Sequence, residues 1–468
     1  MAKPPTRLEH DLLGDRQVPE DAYWGVHTLR ALENFPISGV PISQYPALVN
    51  ALACVKQAAA LANQELGLLD DIRTQAIVQA CEEIREGRWH DQFVVDVIQG
   101  GAGTSTNMNA NEVIANRALE ILGHAKGDYA QLHPMDHVNC SQSTNDAYPT
   151  ALKVALHFLI GTLVDEMGDL EAAFGKKAIE FGSLVKMGRT QLQDAVPMTL
   201  GQEFHAWATM LGEDRSRLRE AGKLAHEINM GATAIGTGIN AHPDYAELIR
   251  QKLSSLIGVE LITSPDLIEA TQDAGAFVQL SGVLKRTAVK LSKTCNDLRL
   301  LSSGPRTGLG EIFLPAVQAG SSIMPGKVNP VIPEVVNQIA FVVIGNDITV
   351  TFAAEGGQLQ LNAFEPIIAR SLFQSLSYLA NGCRTLRERC VEGITADHEQ
   401  LRVNVENSVG IATALNPHLG YAKATAIAQE AHRTRRRVRD LVLEQGLLSP
   451  QELDEILSPE RLTTPHRS

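Results

Sequence analysis

The chain has 468 residues, a formal net charge of −13 and an aromatic content of 5%. A chain of this length exceeds what one hydrophobic core can serve, so two or three domains are expected. The acidic balance argues against a nucleic-acid-binding surface, which needs clustered lysine and arginine. Scarce aromatic residues, together with abundant alanine and leucine, favour helices over a β-sandwich.

The six cysteines are scattered along the chain without a C-x-x-C pair, so neither a metal site nor a disulfide framework is predicted. The first residues contain no apolar segment of the kind found in secretory signals. No uninterrupted run approaches the 18 apolar residues of a membrane span. These features predict a soluble cytoplasmic protein that binds neither membranes nor nucleic acid.

The N-terminal part of the chain, residues 1–140, is predicted to be a mixed, mainly helical domain. An alanine-rich helix is expected at 46–66 and a second helix at 71–86. From about Thr150 the pattern changes, because apolar residues recur every three or four positions between Leu152 and Phe174. This spacing is typical of one buried face on a long helix.

The same apolar spacing returns from Phe277 to Leu291 and from Val336 to Val350. Several long helices with few strand-like runs between them predict an all-α fold, with a central bundle of long helices at residues 141–396. The stretch 339–344 is apolar on every side, and such a helix must be covered all round. This pattern predicts that subunits bury each other's helices.

Residues 397–468 are predicted to form a small C-terminal helical domain. Ser449 followed by Glu452, with Pro450 between them, predicts a capping box at the start of a helix. The basic run from Arg433 to Arg439 has two interpretations: a solvated helix face or a site for an anionic partner. Both stay open on the sequence.

Four polar segments stand outside the apolar stripes: Gly100–Asn109, Ser141–Asp146, Gly188–Ala195 and Gly320–Pro330. The first is rich in glycine, as phosphate-binding loops are, but it lacks their Gly-Lys-Ser/Thr ending. A structural turn is the other interpretation of this segment. The second contains more helix-capping residues than one N-cap needs, which suggests ligand contacts. The fourth, called the serine loop below, places two serines, one lysine and one asparagine between glycines and prolines. These groups suit a site that holds a carboxylate and removes a proton from the carbon beside it.

Taken in this order, around long helices, the four segments resemble the conserved regions of the fumarase/aspartase superfamily over about residues 11–457. The resemblance implies a three-domain, all-α fold and a homotetramer whose central helices form a twenty-helix core. It also implies four composite active sites, each built from three subunits.

Two positions resemble the aspartase branch of the superfamily more than the fumarase branch. The chain reads Ser143-Thr144-Asn145-Asp146 where similar fumarases have Ser-Ser-Asn-Asp, and Gly188-Arg189-Thr190-Gln191 where they have Gly-Arg-Thr-His. Glutamine does not titrate, so it cannot activate water or protonate a leaving hydroxide as histidine can. Argininosuccinate and adenylosuccinate lyases usually carry histidine at this third segment as well. The segments Gly25–Arg30 and Gly357–Asn362 also resemble aspartases.

The resemblance implies that L-aspartate loses a Cβ proton and then ammonia, through an enediolate, to give fumarate. Ser321 matches the catalytic base, with backbone amides and Lys327 lowering its pKa. Lys327 and Asn329, with Thr190, are expected to bind the α-carboxylate. Asn145 and Gln191 are expected to bind the ammonium group. The expected hydroxyl donors to the β-carboxylate are Thr104, Ser143, Thr144 and Ser322.

No cofactor is required by this chemistry, and activation by a divalent cation stays open. Asp146 and Glu334 are both possible metal ligands, but Glu334 follows Pro333 at a helix start and is interpreted as a carboxylate that favours the helix dipole. His27 is interpreted as a structural hydrogen-bonding residue. Two alternatives remain. One is a class II fumarate hydratase, and the other is a non-enzymatic structural protein, since related lyases serve as structural proteins of the lens. A turnover assay separates all three.

Overall fold

The structure is a computed structural model that describes residues 5–464. Within those residues seventeen α-helices account for most of the ordered backbone, which confirms the predicted all-α class. The α-helices are α1 (Val26–Asn34), α2 (Pro46–Glu65), α3 (Asp71–Arg85), α4 (Thr104–Ile121), α5 (Thr144–Glu180), α6 (Leu200–Gly222), α7 (Tyr245–Ile257), α8 (Leu267–Gln272), α9 (Gly275–Leu301), α10 (Val331–Glu355), α11 (Glu365–Arg389), α12 (His398–Asn407), α13 (Asn416–Leu419), α14 (Tyr421–Thr434), α15 (Val438–Glu444), α16 (Pro450–Ile456) and α17 (Pro459–Thr463).

Eight short strands form four separate two-stranded sheets among the described residues. Three pairs are antiparallel, β1–β2, β3–β4 and β7–β8, and the pair β5–β6 is parallel. The strands are β1 (Thr6–Asp11), β2 (Gly14–Pro19), β3 (Val185–Thr190), β4 (Gln193–Thr199), β5 (Glu227–Ile228), β6 (Ile262–Thr263), β7 (Ile312–Phe313) and β8 (Thr395–Ala396).

The predicted helices lie where their patterns place them. α2 and α3 match the expected helices, and the capping box at Ser449 and Glu452 is formed at the start of α16. α5 begins at Thr144, earlier than the apolar stripe suggested, because its first turn consists of polar residues. The stripe itself is buried, as Leu152, Leu163 and Phe174 each show no exposed surface.

The chain divides into two compact units. Unit 1 holds the described residues up to Val164, with Ser216–Arg286 and Phe341–Leu379; unit 2 holds Asp165–Arg215, Thr287–Ala340 and the described residues from Ala380 onward. Each of the five boundaries falls inside one of the long helices α5, α6, α9, α10 and α11. The three domains expected from sequence, 1–140, 141–396 and 397–468, stay a prediction.

Polar side chains tie the long helices to one another within each unit. In unit 1, Asp347 of α10 accepts hydrogen bonds from Ser281 and Lys285 of α9, at 2.8 and 2.6 Å. In unit 2, Arg384 of α11 binds Glu166 of α5 at 2.6 Å, and Asn337 of α10 donates to Ser292 of α9 at 2.8 Å. These contacts hold neighbouring helices side by side, as the predicted bundle requires.

Unit 1 is built around α2, whose alanines allow close approach of α3, α4 and α7. In unit 2 the hairpin β3–β4 packs against α12 and the C-terminal helices. The C-terminal helices share a compact apolar cluster that includes Leu415, Ile427, Leu441 and Leu453, all buried. The hairpin β3–β4 is therefore supported by the packed C-terminal helices of unit 2.

Two helices, α5 and α10, are long and apolar enough to cross a membrane by length and composition, which the inspection of uninterrupted apolar runs did not anticipate. The most apolar window of α5 is 67% buried inside the chain, as in the core helix of a soluble protein, whereas that of α10 is 39% buried. The expectation that the protein does not bind membranes stays a prediction.

Candidate active site

The serine loop connects β7 to α10 in unit 2. The hydroxyl oxygen of Ser321 accepts two backbone hydrogen bonds, from the N–H of Ile323 at 3.1 Å and of Met324 at 2.9 Å. Two N–H donors aimed at one oxygen favour its negatively charged form. Such donors would favour the alkoxide form of Ser321 that the predicted role as a base needs.

The ends of the serine loop are held together by the backbone. Gly320 donates to the carbonyl of Lys327 at 2.8 Å, and Asn329 donates through Nδ2 to the carbonyl of Gly320 at 2.8 Å. A Cβ at position 320 would lie 2.8 Å from both the nitrogen of Asn329 and the carbonyl oxygen of Lys327, so only glycine fits there. Asn329 thus closes the loop with one hydrogen of its Nδ2 and keeps the second hydrogen available for a carboxylate.

The rest of the serine loop faces solvent. Ser322 and Lys327 are exposed, and the Lys327 ammonium makes no ion pair or hydrogen bond with any residue from 5 to 464. The loop encloses an open pocket of about 520 Å³ lined by residues 316–328. An unpaired cation beside an activated hydroxyl suits a carboxylate ligand whose neighbouring carbon is to be deprotonated.

The second polar segment belongs to unit 1 and is fixed by the buried Asp146. The carboxylate of Asp146 accepts backbone hydrogen bonds from Ser143 at 2.9 Å, Thr233 at 2.9 Å and Gly231 at 3.2 Å. Burial raises the pKa of Asp146 to about 6, although these amides oppose the shift. Asp146 is thus an anchor at the start of α5.

The three residues before Asp146 are half-buried and present polar atoms to the surface. Ser143 Oγ accepts from the backbone N–H of Asn145 at 3.2 Å, and Thr144 Oγ1 accepts from Asn107 Nδ2 at 3.1 Å. Asn145 donates through Nδ2 to the carbonyl of Ala234 at 2.7 Å, which leaves its Oδ1 free to accept. An ammonium group needs such an acceptor, and the hydroxyl hydrogens of Ser143 and Thr144 remain available for a carboxylate.

Thr104 is the first residue of α4 and is exposed. Its hydroxyl donates to the carbonyl of Gly101 at 2.7 Å. The preceding Gly103 has φ +90°, and a Cβ there would lie 2.6 Å from the ring of Tyr148. The glycine-rich segment therefore lies directly against Tyr148 of α5, and α4 links it to Thr144 through Asn107.

A buried lysine that the sequence analysis did not single out supports the second polar segment. Lys56 of α2 is fully buried and donates to Asn139 Oδ1 and Gln142 Oε1, both at 2.9 Å. Asn107 donates to the same Asn139 oxygen at 3.1 Å and also reaches Thr144. Burial lowers the pKa of Lys56 to about 7, partly offset by the charge of Asp146. The sequence feature that could have identified Lys56 is a single lysine within an alanine-rich apolar helix.

The sequence analysis also missed the segment 229–238, which is rich in glycine, alanine and threonine. It supplies the N–H groups of Gly231 and Thr233 to Asp146 and the carbonyl of Ala234 to Asn145. Thr233 has φ +55° and Gly231 has φ +92°, so the backbone is folded tightly at this point. Glycines and threonines between two helices were the signal that could have found it.

Thr190 and Gln191 lie at the tip of the hairpin β3–β4 in unit 2, and both are exposed. Gln191 and Leu192 both have positive φ, 54° and 63°, as a two-residue hairpin turn requires. Below the tip, Arg189 binds the fully buried carboxylate of Glu311 at 2.6 Å, and Lys186 binds it at 2.9 Å. No hydrogen bond joins the tip to the serine loop among residues 5–464.

The Gly25–Arg30 segment has a structural role in unit 1. Glu112 accepts hydrogen bonds from the backbone N–H groups of Gly25 and His27 at 2.8 Å, and burial raises its pKa to about 7. Arg30 pairs with Asp11 at 2.7 Å and holds the pKa of that carboxyl at about 2. Burial lowers the pKa of His27. Glu112 thus occupies the start of α1, and Arg30 is already engaged by Asp11.

The chain matches the family profile described as lyase over residues 14–345, and that described as fumarase C C-terminus over residues 411–464. It is 57% identical over 460 residues to the aspartate ammonia-lyase of Helicobacter pylori, covering 98% of both chains. The corresponding enzyme of Pseudomonas aeruginosa is 60% identical over 461 residues, covering 98% of this chain and 97% of its own. This chain belongs to the aspartate ammonia-lyase family of the fumarase/aspartase superfamily.

Solved structures agree with this family assignment. A fumarate lyase:delta crystallin from Brucella melitensis, bound to cobalt, superposes with a TM-score of 0.96 at 56% identity, covering 98% of this chain and all (100%) of the other. A class II fumarase from Schistosoma mansoni superposes with a TM-score of 0.94 at 33% identity, covering 99% and 100%. The predicted superfamily fold is confirmed, and fumarase is the more distant relative.

Proposed function

We propose that this member of the aspartate ammonia-lyase family catalyses the reversible anti elimination of ammonia from L-aspartate to give fumarate. The observation that carries the proposal is the serine loop, where Ser321 Oγ accepts two backbone N–H bonds close to the exposed, unpaired Lys327. The family assignment supports the same reaction, since the relatives from Helicobacter pylori and Pseudomonas aeruginosa are aspartate ammonia-lyases.

In the proposed reaction the Ser321 alkoxide removes a proton from Cβ of L-aspartate, and the electron pair moves onto the β-carboxylate to form a dianionic enediolate. The hydroxyls of Ser143, Thr144 and Ser322 would donate hydrogen bonds to that charge, and the hydroxyl of Thr104 would do so after turning away from the Gly101 carbonyl. Collapse of the enediolate expels the amine from Cα, leaving fumarate and ammonia. Lys327 and Asn329, with Thr190, would hold the α-carboxylate during both steps.

The ammonium group of the substrate would lie against the free Oδ1 of Asn145 and the side-chain oxygen of Gln191. Neither side chain titrates, so the site supplies no general acid for a hydroxide leaving group. Ammonia leaves without such help, which favours aspartate over malate. Class II fumarate hydratase remains the alternative, supported by the fold match at 33% identity.

We also propose a homotetramer in which three subunits contribute to each site. The apolar face of α10 supports this, since Phe341, Ile348 and Phe352 are 63%, 54% and 71% exposed in the single chain. A helix so apolar needs a cover, and a symmetric oligomer provides one. Thr190 and Gln191, exposed at a hairpin tip, are suited to reach a neighbouring subunit's site.

The proposed reaction needs no cofactor, because each charge change falls on a named side chain or on the substrate. No group of three His, Cys, Asp or Glu side chains among residues 5–464 is placed to hold a metal ion. Activation by a divalent cation therefore remains open to a direct assay. We place the enzyme in the cytoplasm, with L-aspartate, fumarate and ammonia as its only partners besides its own copies.

The decisive experiment follows the ultraviolet absorbance of fumarate with L-aspartate or L-malate at matched concentrations. We expect turnover of aspartate and at most marginal turnover of malate. Malate turnover equal to or faster than that of aspartate would make the chain a fumarase, and no turnover of either would favour a scaffold.

Shared sites are tested by mixing two inactive variants, Thr144→Ala and Ser321→Ala, after dissociation and reassembly. If different subunits contribute these residues, mixed tetramers regain part of the activity. No recovery in verified mixed tetramers would mean that each site lies within one subunit.

A further inference from the structure

Unit 1 contains a pocket that none of the proposed substrate-binding residues lines. It has a volume of about 420 Å³ and lies between the loop 38–41, Tyr45, Val97 and one face of α11. This volume falls within the range of small-molecule sites in proteins. We call it the Arg370 pocket, after the one charged residue in its lining.

Arg370 projects from α11 and is half-buried. Its guanidinium has no ion pair or hydrogen bond with any residue from 5 to 464. The carboxylate of Asp96, which holds the rim, already accepts from Ser38 Oγ at 2.7 Å and from the N–H groups of Ser38, Gly39 and Ile98 at 2.7, 2.9 and 2.8 Å. Asp96 thus fixes the rim through Ser38, Gly39 and Ile98 and does not neutralise the charge of Arg370. An arginine without a counter-charge in a concave site favours binding of an anion.

The walls of the Arg370 pocket combine aromatic and aliphatic side chains with the polar side chains of Ser38, Gln44, Gln374 and Ser377. The Tyr45 ring is packed against Phe373 with 5.4 Å between centroids, and its hydroxyl has no hydrogen-bond partner within 5–464. Burial raises the pKa of Tyr45, so this hydroxyl remains a neutral donor. Tyr378 is held by Gln374 at 3.3 Å, and Val40 and Val97 complete the apolar surface. Rigid aromatic walls suit a planar ligand body.

We propose that the Arg370 pocket binds a small organic anion, with its carboxylate or phosphate group on Arg370 and a planar apolar body against Tyr45 and Tyr378. The site is separate from the proposed reaction centre and does not depend on the proposed reaction. The anion would gain a charge-assisted hydrogen bond from the guanidinium and a second bond from the Tyr45 hydroxyl.

The test measures binding to the full-length protein by calorimetry and ligand-observed NMR. Benzoate is the anionic probe, benzamidine is a cation of the same shape, and inorganic phosphate tests the alternative head group. Arg370→Gln removes the charge, and Arg389→Gln, at the far end of the same helix, is the matched control. We expect benzoate or phosphate to bind and benzamidine not to bind. Arg370→Gln should weaken binding of the anion at least about tenfold, with Arg389→Gln unchanged.

The two anions distinguish the head groups, because an affinity that depends on Arg370 shows which of the two groups the pocket binds. Anion binding that is equal in the wild type and in Arg370→Gln would place the anion elsewhere, for example at Lys327, and would overturn the proposal. No binding of either anion would also overturn it. Loss of subunit assembly in Arg370→Gln without anion binding would assign Arg370 to a contact between copies of the chain.

Discussion

Segment 139–146 and the serine loop both carry hydroxyls that we propose as substrate contacts, but the two segments are held in different ways. The first is fixed by buried side chains from distant parts of the chain: Lys56 binds Asn139, and Asp146 binds the backbone at Gly231 and Thr233. The serine loop is closed by its own backbone and by Asn329, and most of it is exposed.

The difference fits two tasks. Donors to a developing charge work best when they are fixed before the reaction, and a buried network fixes them. A base that must cover the substrate and then release the product belongs on a segment with few outside contacts. We call the buried side chains that hold segment 139–146, among them Lys56, Asn107 and Asp146, the anchoring network. We therefore expect substitutions in the serine loop to change turnover most. Substitutions in the anchoring network should act more weakly, through substrate binding or stability.

The largest effect is expected for Ser321→Ala. Loss of the proton acceptor should lower kcat at least about 10²-fold while the helical content and subunit assembly stay unchanged. Fumarate formation, circular dichroism and light scattering measure the three quantities. Ser183→Ala, at an exposed serine of the same unit, is the control. Activity within a few-fold of wild type in Ser321→Ala would remove Ser321 from the mechanism.

Lys327→Ala should raise KM for aspartate about tenfold or more and lower kcat as well, because the loop loses the one cation available to the α-carboxylate. Steady-state kinetics over a range of aspartate concentrations measures both effects. Lys176→Ala, at an exposed lysine on α5 in the same unit, should leave KM unchanged. An unchanged KM in Lys327→Ala would mean that another group binds the α-carboxylate.

The anchoring network makes stability depend on pH through Lys56. Its pKa is about 7 in the folded chain, below the value of about 10.4 for an unfolded lysine. Between these values the unfolded chain binds more protons, so the contribution of Lys56 to stability increases as pH rises from about 7 to 10. The slope approaches about 1.4 kcal/mol per pH unit.

Thermal unfolding of Lys56→Met across this pH range tests that dependence. The Tm difference between wild type and Lys56→Met should widen in favour of wild type as pH rises. Gln57→Met, at a buried neighbour on α2 that does not titrate, should show no such trend. Parallel Tm curves for wild type and Lys56→Met would show that Lys56 does not titrate near neutral pH.

The smallest effect is expected for the hydrogen bond between Asn107 and Thr144. Asn107→Ala should raise KM about fivefold, the equivalent of about 1 kcal/mol for one hydrogen bond, with little change in kcat. Asn111→Ala is the control, since Asn111 donates to the same Asn139 oxygen at 3.1 Å and makes no bond to Thr144. Equal KM values in the two variants would show that the bond to Thr144 does not position the hydroxyl.

The sequence by itself determined the helices and pointed to the four polar segments on which the proposed chemistry rests. The spacing of Leu152, Leu163 and Phe174 follows the helical period, so the buried face of α5 could be predicted from local pattern alone. The serine loop could also be predicted as a loop, because glycine and proline interrupt helices and strands wherever they occur. The chemical meaning of Gln191, where similar fumarases have histidine, could also be inferred without a structure.

Only the tertiary structure decided what holds those segments in place. Lys56 lies 83 residues from Asn139, and Asn145 lies 89 residues from Ala234, and no local pattern relates such distant positions. The hairpin under Gln191 also escaped prediction, because its buried support, Glu311, lies far along the chain from Arg189. Buried polar groups must find partners wherever the fold brings them together, so their pairing is a property of the packed structure.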